Sequence, residues 1–269
     1  MALVNQYNFL RFSDDSISDE ELPQAYIRDR CQFEAMPIIV PAENIAFYVN
    51  TQYGVDYGAS PYLRIIKDSG ETVWEDSVLS KDTISIDRYN PYADFTIPAL
   101  DNGVYRFQII DGTTVKCTSN PVLCMNEDYE NISSYVEFTN NQNYYNVRYA
   151  ELSNFYQKFR LRITDISGGE YEANTEMYRS ETTGRYRDLL SNLQKYYIFE
   201  CYYYDKYAFE AIAIFLAHRT RLINGKEYAF KEGLTKNAIL TTKVTKGTFQ
   251  MYDQEFSTIN TCNGELLSS

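Results

Sequence analysis

The segment Asp101-Asn102-Gly103-Val104-Tyr105-Arg106-Phe107-Gln108-Ile109-Ile110 decides how the rest of the chain is read. Asp-Asn-Gly is turn chemistry, because glycine and the Asx side chains tolerate backbone angles that other residues avoid. After it, Tyr105, Phe107 and Ile109 alternate with Arg106 and Gln108, the period of two of a strand with one buried face. A tyrosine two residues past the turn is placed to fold its phenol back and hydrogen-bond the loop it has just left. Short apolar runs of the same kind flank this segment on both sides. Upstream lie Pro37–Val40, Ile45–Val49, Tyr62–Ile66 returning through Lys67–Gly70 into Thr72–Asp76, then Thr83–Asp87 and Phe95–Leu100. Downstream lie Thr113–Thr118 and Val122–Met125.

That turn-tyrosine-strand pattern resembles the tyrosine-corner strand of immunoglobulin-like and fibronectin-like sandwiches, and strands with turns every roughly 8–12 residues suit such a fold. Trp74 is expected in its core. The reading is a mainly β chain with two β-sandwich-like domains: an N-terminal segment over 1–29, an immunoglobulin-like sandwich over 30–128, and a second β-domain with one packed helix over 129–269. The polar stretch Asn126–Ser134 is the best candidate for the junction, and the Asn-rich stretch Asn140–Asn146 offers a slightly later one.

The second half is punctuated differently. Tyr135–Phe138 opens it, and Phe159-Arg160-Leu161-Arg162-Ile163 alternates, with its arginines expected on the wet face. Tyr171–Tyr178 and Gly184–Leu190 flank Ser180–Thr183 as a hairpin tip. The run Tyr196–Tyr204 is aromatic on both faces, as for a strand covered on both sides. A helix over 205–219 follows, with Asp205 as N-cap and His218 in the last turn, where a cation suits the helix dipole. Ile223-Asn224-Gly225-Lys226 predicts a hairpin with a type I′ turn, and Ile239–Val244 and Thr248–Phe256 supply the last strands.

Composition narrows the chemistry. The 269 residues carry 25 Lys+Arg against 37 Asp+Glu, a formal net charge of −12, with a single histidine. Phosphate binding needs positive charge, so specific nucleic-acid binding is not expected. The five cysteines are widely spaced without a C-x-x-C motif, so they read as free thiols, although Cys117 and Cys124 could meet across neighbouring strands. The acidic run Asp14–Glu21 lacks the spacing and glycine of a calcium loop. No signal peptide and no apolar span of ~20 residues is legible, so synthesis in the cytoplasm without membrane anchoring is expected. No catalytic, cofactor or metal site is read, and the chain is expected not to be an enzyme. The 26 tyrosines carry large apolar bodies with polar tips, which suit half-buried strands and wet-edged interfaces alike, and the 15 phenylalanines add apolar area for core or contact. The interface candidates are Tyr197, Tyr202, Tyr203, Tyr204, Tyr207, Arg185 and Arg187.

The order of elements in the second half carries a further resemblance. It runs through "EMYRSETTGRYRDLL", then "QKYYIFECYYYDKYAFEAIAIFLAHRTRLINGKEYAFKEG", and closes with "FQMYDQEF". Over residues 135–262 this resembles uncharacterised virion proteins of tailed phages and prophages of Bacteroidetes, including the crAss-like phages. The resemblance implies a non-enzymatic structural protein of the virion neck or tail, a subunit of a ring formed with copies of itself and other virion proteins of the neck, portal or tail. DNA would pass such a ring without specific binding, and the net negative charge would keep it from sticking. The other functional reading is a glycan- or receptor-binding module of a phage fibre or surface protein, with exposed tyrosines and Trp74 as stacking platforms.

Overall fold

The computed structural model describes residues 3–4, 9–14, 36–49, 61–76, 79–85, 88–145, 147–179, 181–203, 206–238, 245–261 and 266–267. These residues are mainly strand. The first half supplies β1 (Leu3–Val4), β2 (Phe12–Asp14), β3 (Ile38–Ile39), β4 (Asn44–Tyr48), β5 (Tyr62–Lys67), β6 (Thr72–Asp76), β7 (Ser80–Ser85), β8 (Arg88–Thr96), β9 (Gly103–Asp111), β10 (Thr114–Ser119) and β11 (Val122–Cys124). The second half adds β12 (Ser134–Thr139), β13 (Gln157–Leu161), β14 (Ile163–Asp165), β15 (Glu170–Arg179) and β16 (Tyr186–Tyr203). After these come the helix α1 (Lys206–Ala217), β17 (Thr220–Ile223), β18 (Lys226–Ala238), β19 (Thr245–Thr261) and β20 (Leu266–Leu267).

The segment that decided the sequence reading, β9, is the hub of the first half. Along one edge it pairs antiparallel with β5, from Tyr62 opposite Ile110 to Lys67 opposite Tyr105. Along the other edge it takes β10 and then β11. β6 extends β5, while β2 and then β1 extend β10. A second ladder runs β7–β8–β4. The two ladders face one another through aromatic rings: Phe47 of β4 lies 5.9 Å from Phe107 of β9, and Phe95 of β8 meets Phe107 edge-on at 6.2 Å. The Tyr105 hydroxyl donates to the Asp101 carbonyl at 2.9 Å, the return bond expected of it.

Some local expectations change. β8 begins at Arg88, well before the predicted run at Phe95, and includes Pro91. Pro91 lies just beyond the β4 ladder, where its carbonyl accepts from Val49 N–H at 2.9 Å and its missing N–H disrupts little. Cys117 and Cys124 are buried free thiols. They do not face each other, since both lie along the same edge of β9, opposite Ile109 and Gly103 respectively. Trp74 is half-buried rather than core, stacked on Phe95 at 5.3 Å and 11°.

The halves are joined by hydrogen bonds as well as by chain. β11 runs parallel to β3, and both β3 and β4 take β13, with Ile38 opposite Arg160 and Ala46 opposite Lys158. β13 continues into β12, β17 and β18. One apolar cluster spans the join, from Val122 and Cys124 to Val136, Phe159 and Phe199. Arg160, expected on the wet face, is buried at this seam. Its guanidinium donates to both carboxylate oxygens of Glu43, at 2.8 and 2.5 Å, and sits 4.7 Å from the centre of the Tyr129 ring. The strand does alternate, but the side that would have been solvent is covered by the first half.

In the second half, Asn224 (φ 51°) and Gly225 (φ 77°) form the β17–β18 turn with the two left-handed residues that a type I′ turn demands. α1 buries Ala211, Ile212, Phe215 and Leu216, with Phe215 edge-on to Phe138 of β12 at 5.5 Å. Buried Arg221 donates to the Leu216 carbonyl at 2.6 Å, satisfying an acceptor left open at the helix C-terminus. The predicted N-cap Asp205, the predicted strand over 239–244, Tyr204 and the acidic run from residue 15 to 21 lie outside the described residues.

Candidate interaction surface

β16 is the backbone of the second half. It lies between β14 and β15 on one edge and β19 on the other, and β19 in turn takes β18 and β20. Because side chains alternate along a strand, β16 has two distinct faces. Tyr197, Phe199 and Cys201 point inward. Phe199 stacks on Phe249 at 5.4 Å, and Tyr197 meets Tyr228 edge-on at 5.6 Å. Tyr196, Ile198, Glu200 and Tyr202 point outward, onto a sheet face that no described helix covers.

That outer face is an organised layer. The Lys231 ammonium lies 3.3 Å from the centre of the Tyr196 ring and 5.3 Å from that of Tyr252, and bonds Glu172 at 2.7 Å. The Tyr252 hydroxyl donates to the same carboxylate at 3.0 Å, and the Tyr196 hydroxyl donates to Glu170 at 2.5 Å. The hydrogen bond from Lys231, helped by that from Tyr252, holds the Glu172 carboxyl below its usual range. Further along, Glu200 receives both Lys246 and the Tyr202 hydroxyl. Burial pushes Glu200 up, but those two donors together keep it below its ordinary value. The result is a flat face of tyrosine rings whose charged groups are already matched. Such a surface loses little on being covered by another protein, since few of its charges would be buried unpaired.

Towards the chain end of β15 the sheet narrows into an arm. β15 and β16 pair over the whole of β15, from Glu170 opposite Tyr196 to Arg179 opposite Tyr186. At about 3.3 Å per residue this ribbon is roughly 30 Å long. Among the described residues β19 pairs with β16 as far as Leu190, and beyond it β16 pairs with β15 alone. On the ribbon, large apolar side chains are bare: Tyr171 is 57% exposed, Met177 63% and Tyr186 67%. Tyr171 lies where β19 still flanks β16, and Met177 and Tyr186 stand beyond it; neighbouring exposed apolar groups mark a contact site more than scattered ones do.

The sequence candidates divide accordingly. Tyr202 stands on the outer face and Arg185 is exposed at the arm tip. Tyr197 is turned inward, against expectation, because it is one residue out of phase with Tyr196 and Tyr202. Tyr203, Tyr207 and Arg187 lie in β16 and α1, but their side chains fall outside those described. Sequence reasoning missed Tyr196, Tyr252, Lys231 and Glu172. The available signal was the charge of Glu200, which marks Tyr196, Ile198 and Tyr202 as the face sharing its phase.

Among the described residues, Cys124, Cys201 and His218 are held in their neutral forms. Burial pushes the Cys124 thiol up to about 11 and the Cys201 thiol to about 12, so both stay protonated. His218 is not the helix-end cation expected from its position. It is buried among Phe138, Tyr144 and Tyr149, and burial lowers it to about 4. Its Nδ1–H donates to the Ile214 carbonyl at 2.7 Å, so Nε2 is left to accept from the Tyr149 hydroxyl at 3.0 Å. That hydroxyl in turn accepts from Gln157 at 2.6 Å. Among the described residues, no group of three or more His, Cys, Asp or Glu is placed to hold a metal ion, and no helix is long and apolar enough to cross a membrane. No protein-family model matches the chain, and no curated protein does.

Proposed function

We propose that this chain is a non-enzymatic assembly subunit that works through protein–protein contacts, as a component of a ring in the neck or tail of a phage virion. The observation that carries the assembly reading is the β15–β16 ribbon, roughly 30 Å long, on which Tyr171, Met177 and Tyr186 are exposed and whose tip lies past the last described pairing with β19. The tyrosine layer of Tyr196, Tyr202 and Tyr252 adds a second contact surface whose charges are already paired. The virion setting rests on the resemblance over residues 135–262, as do partners among the neck, portal and tail proteins.

The finer architecture belongs to the same proposal. The order β6–β5–β9–β10 against β7–β8–β4, the parallel pairing of β3 with β11 and the Tyr105 return bond support an immunoglobulin-like sandwich over 30–128. Residues 129–269 then form the second unit, bearing α1 and the arm.

Native mass spectrometry of the purified chain, over a range of concentrations and with co-expressed virion proteins, tests the function. Oligomers of high order, or co-assembly with those proteins, are expected. A chain that stays monomeric under every condition and joins no virion component would refute the reading.

A further inference from the structure

The arm is an unusual projection for so acidic a protein. Copies that carry a net charge of −12 repel one another at long range. Close approach is therefore favoured where a positive feature of one copy meets a negative feature of the next. The turn from Arg179 to Arg185 is such a feature, because two arginines stand exposed on it against one carboxylate, Glu181, beside Met177 and Tyr186. The Arg179 guanidinium lies 6.0 Å from the Tyr186 ring, and its Nε donates to the Gly184 carbonyl at 3.4 Å across the turn.

A complementary feature sits on the first half, where β6, β7 and β8 border an open cleft of about 350 Å³, its mouth included. Trp74, Tyr92 and Phe95 give it an aromatic lining, and Asp76, Asp94 and Ser80 give it a polar, acidic one. Trp74 is held in place by its stacking on Phe95. Asp94 already receives Lys158 at 2.9 Å, which leaves its second carboxylate oxygen as further acceptor capacity. Aromatic faces flanked by carboxylates are a favoured environment for a guanidinium, which stacks and hydrogen-bonds at once. The edge of β15, by contrast, carries Glu170, Glu172 and Glu176, which set like charges against each other if two such edges pair side by side.

We infer that the arm tip of one copy, led by Arg179, Arg185 and Tyr186, docks in the Trp74 cleft of a second copy. The inference rests on the assembly reading and gives it a contact. Arm and cleft are different surfaces, so the interface is heterologous and propagates head to tail, closing into a ring when the rotation allows.

The test uses two isotopic populations of the full chain. Unlabelled copies carry Tyr186→p-benzoylphenylalanine and are mixed with ¹⁵N-labelled copies before irradiation, and cross-linked peptides are mapped by mass spectrometry. The expected product joins the unlabelled arm to labelled peptides from residues 72–95. Oligomers whose cross-links fall within one copy, or on other segments of the neighbour, overturn the docking and leave the assembly reading standing. A protein that never associates defeats both. As a second arm of the test, Arg179→Glu with Arg185→Glu changes only exposed residues and is expected to weaken association by roughly tenfold or more. Trp74 is the sole tryptophan, so its emission should shift with concentration in the parent chain and not in the variant. Unchanged association in that variant also overturns the docking.

Discussion

The buried histidine makes the stability of this protein depend on acid in a calculable way. His218 is held at about 4, against an ordinary value of 6.5, by its burial among Phe138, Tyr144 and Tyr149 just past the end of α1. The unfolded chain therefore takes up this proton first as the pH falls, while the folded chain resists it. Stability is complete above pH 6.5, declines from there, and has lost the whole contribution once the pH is below 4. At about 1.4 kcal/mol for each tenfold difference in proton affinity, the loss is about 3 kcal/mol. The perturbation is His218→Gln, which keeps a donor and an acceptor near Ile214 and Tyr149 but has no proton to gain. Urea unfolding, followed by Trp74 emission between pH 7.5 and 4, should show the parent chain steeper in pH than the variant. Carboxylates that begin to titrate near pH 4 act on both chains and cancel in the difference. At pH 7.5 the variant is the less stable, having lost the ring contacts with Phe138 and Tyr144, and the gap closes by about 3 kcal/mol on acidification. As the only histidine, it also gives one Hε1 resonance for direct titration. A midpoint near 6.5 in the folded protein, or parallel pH profiles for the two chains, would refute the reasoning.

Two further outcomes are expected. Arg160→Ala leaves Glu43 without its bidentate partner at the seam between the halves and should cost about 3 kcal/mol. A double-mutant cycle with Glu43→Gln, read by urea denaturation, should then be clearly non-additive, and simple additivity would show that the pair does not couple the halves. Tyr105→Phe removes one hydroxyl and its bond to the Asp101 carbonyl, and should lower stability by about 1 kcal/mol with no change in secondary structure by circular dichroism; an unchanged urea midpoint would mean the bond contributes nothing.

The elements that were legible in the sequence are those written in local chemistry. Asn224-Gly225 specifies its own turn, Asp101-Asn102-Gly103 followed by Tyr105 specifies the corner, and alternation over 171–178 and 184–190 specifies the arm hairpin. Each depends on steric preference or side-chain period within a few residues. The candidate surface was half legible. Of the residues singled out, Tyr202 and Arg185 stand on the surface, whereas a run of aromatic residues with no polar interruption before Glu200 hid the phase that turns Tyr197 inward and Tyr196 outward.

What the chain determines by itself is therefore a mainly β protein, its hairpins, its acidic charge and its excess of tyrosine. Tertiary structure alone decided the rest. It buried Arg160 against Glu43, 117 positions away, kept Pro91 within a strand, and set Lys231 between Tyr196 and Tyr252. It also turned His218 from a helix-end cation into a neutral core residue. The physical reason is common to all four. Whether a polar group faces water, a partner or an aromatic ring depends on which distant segment packs over it, and no local period or propensity encodes that neighbour.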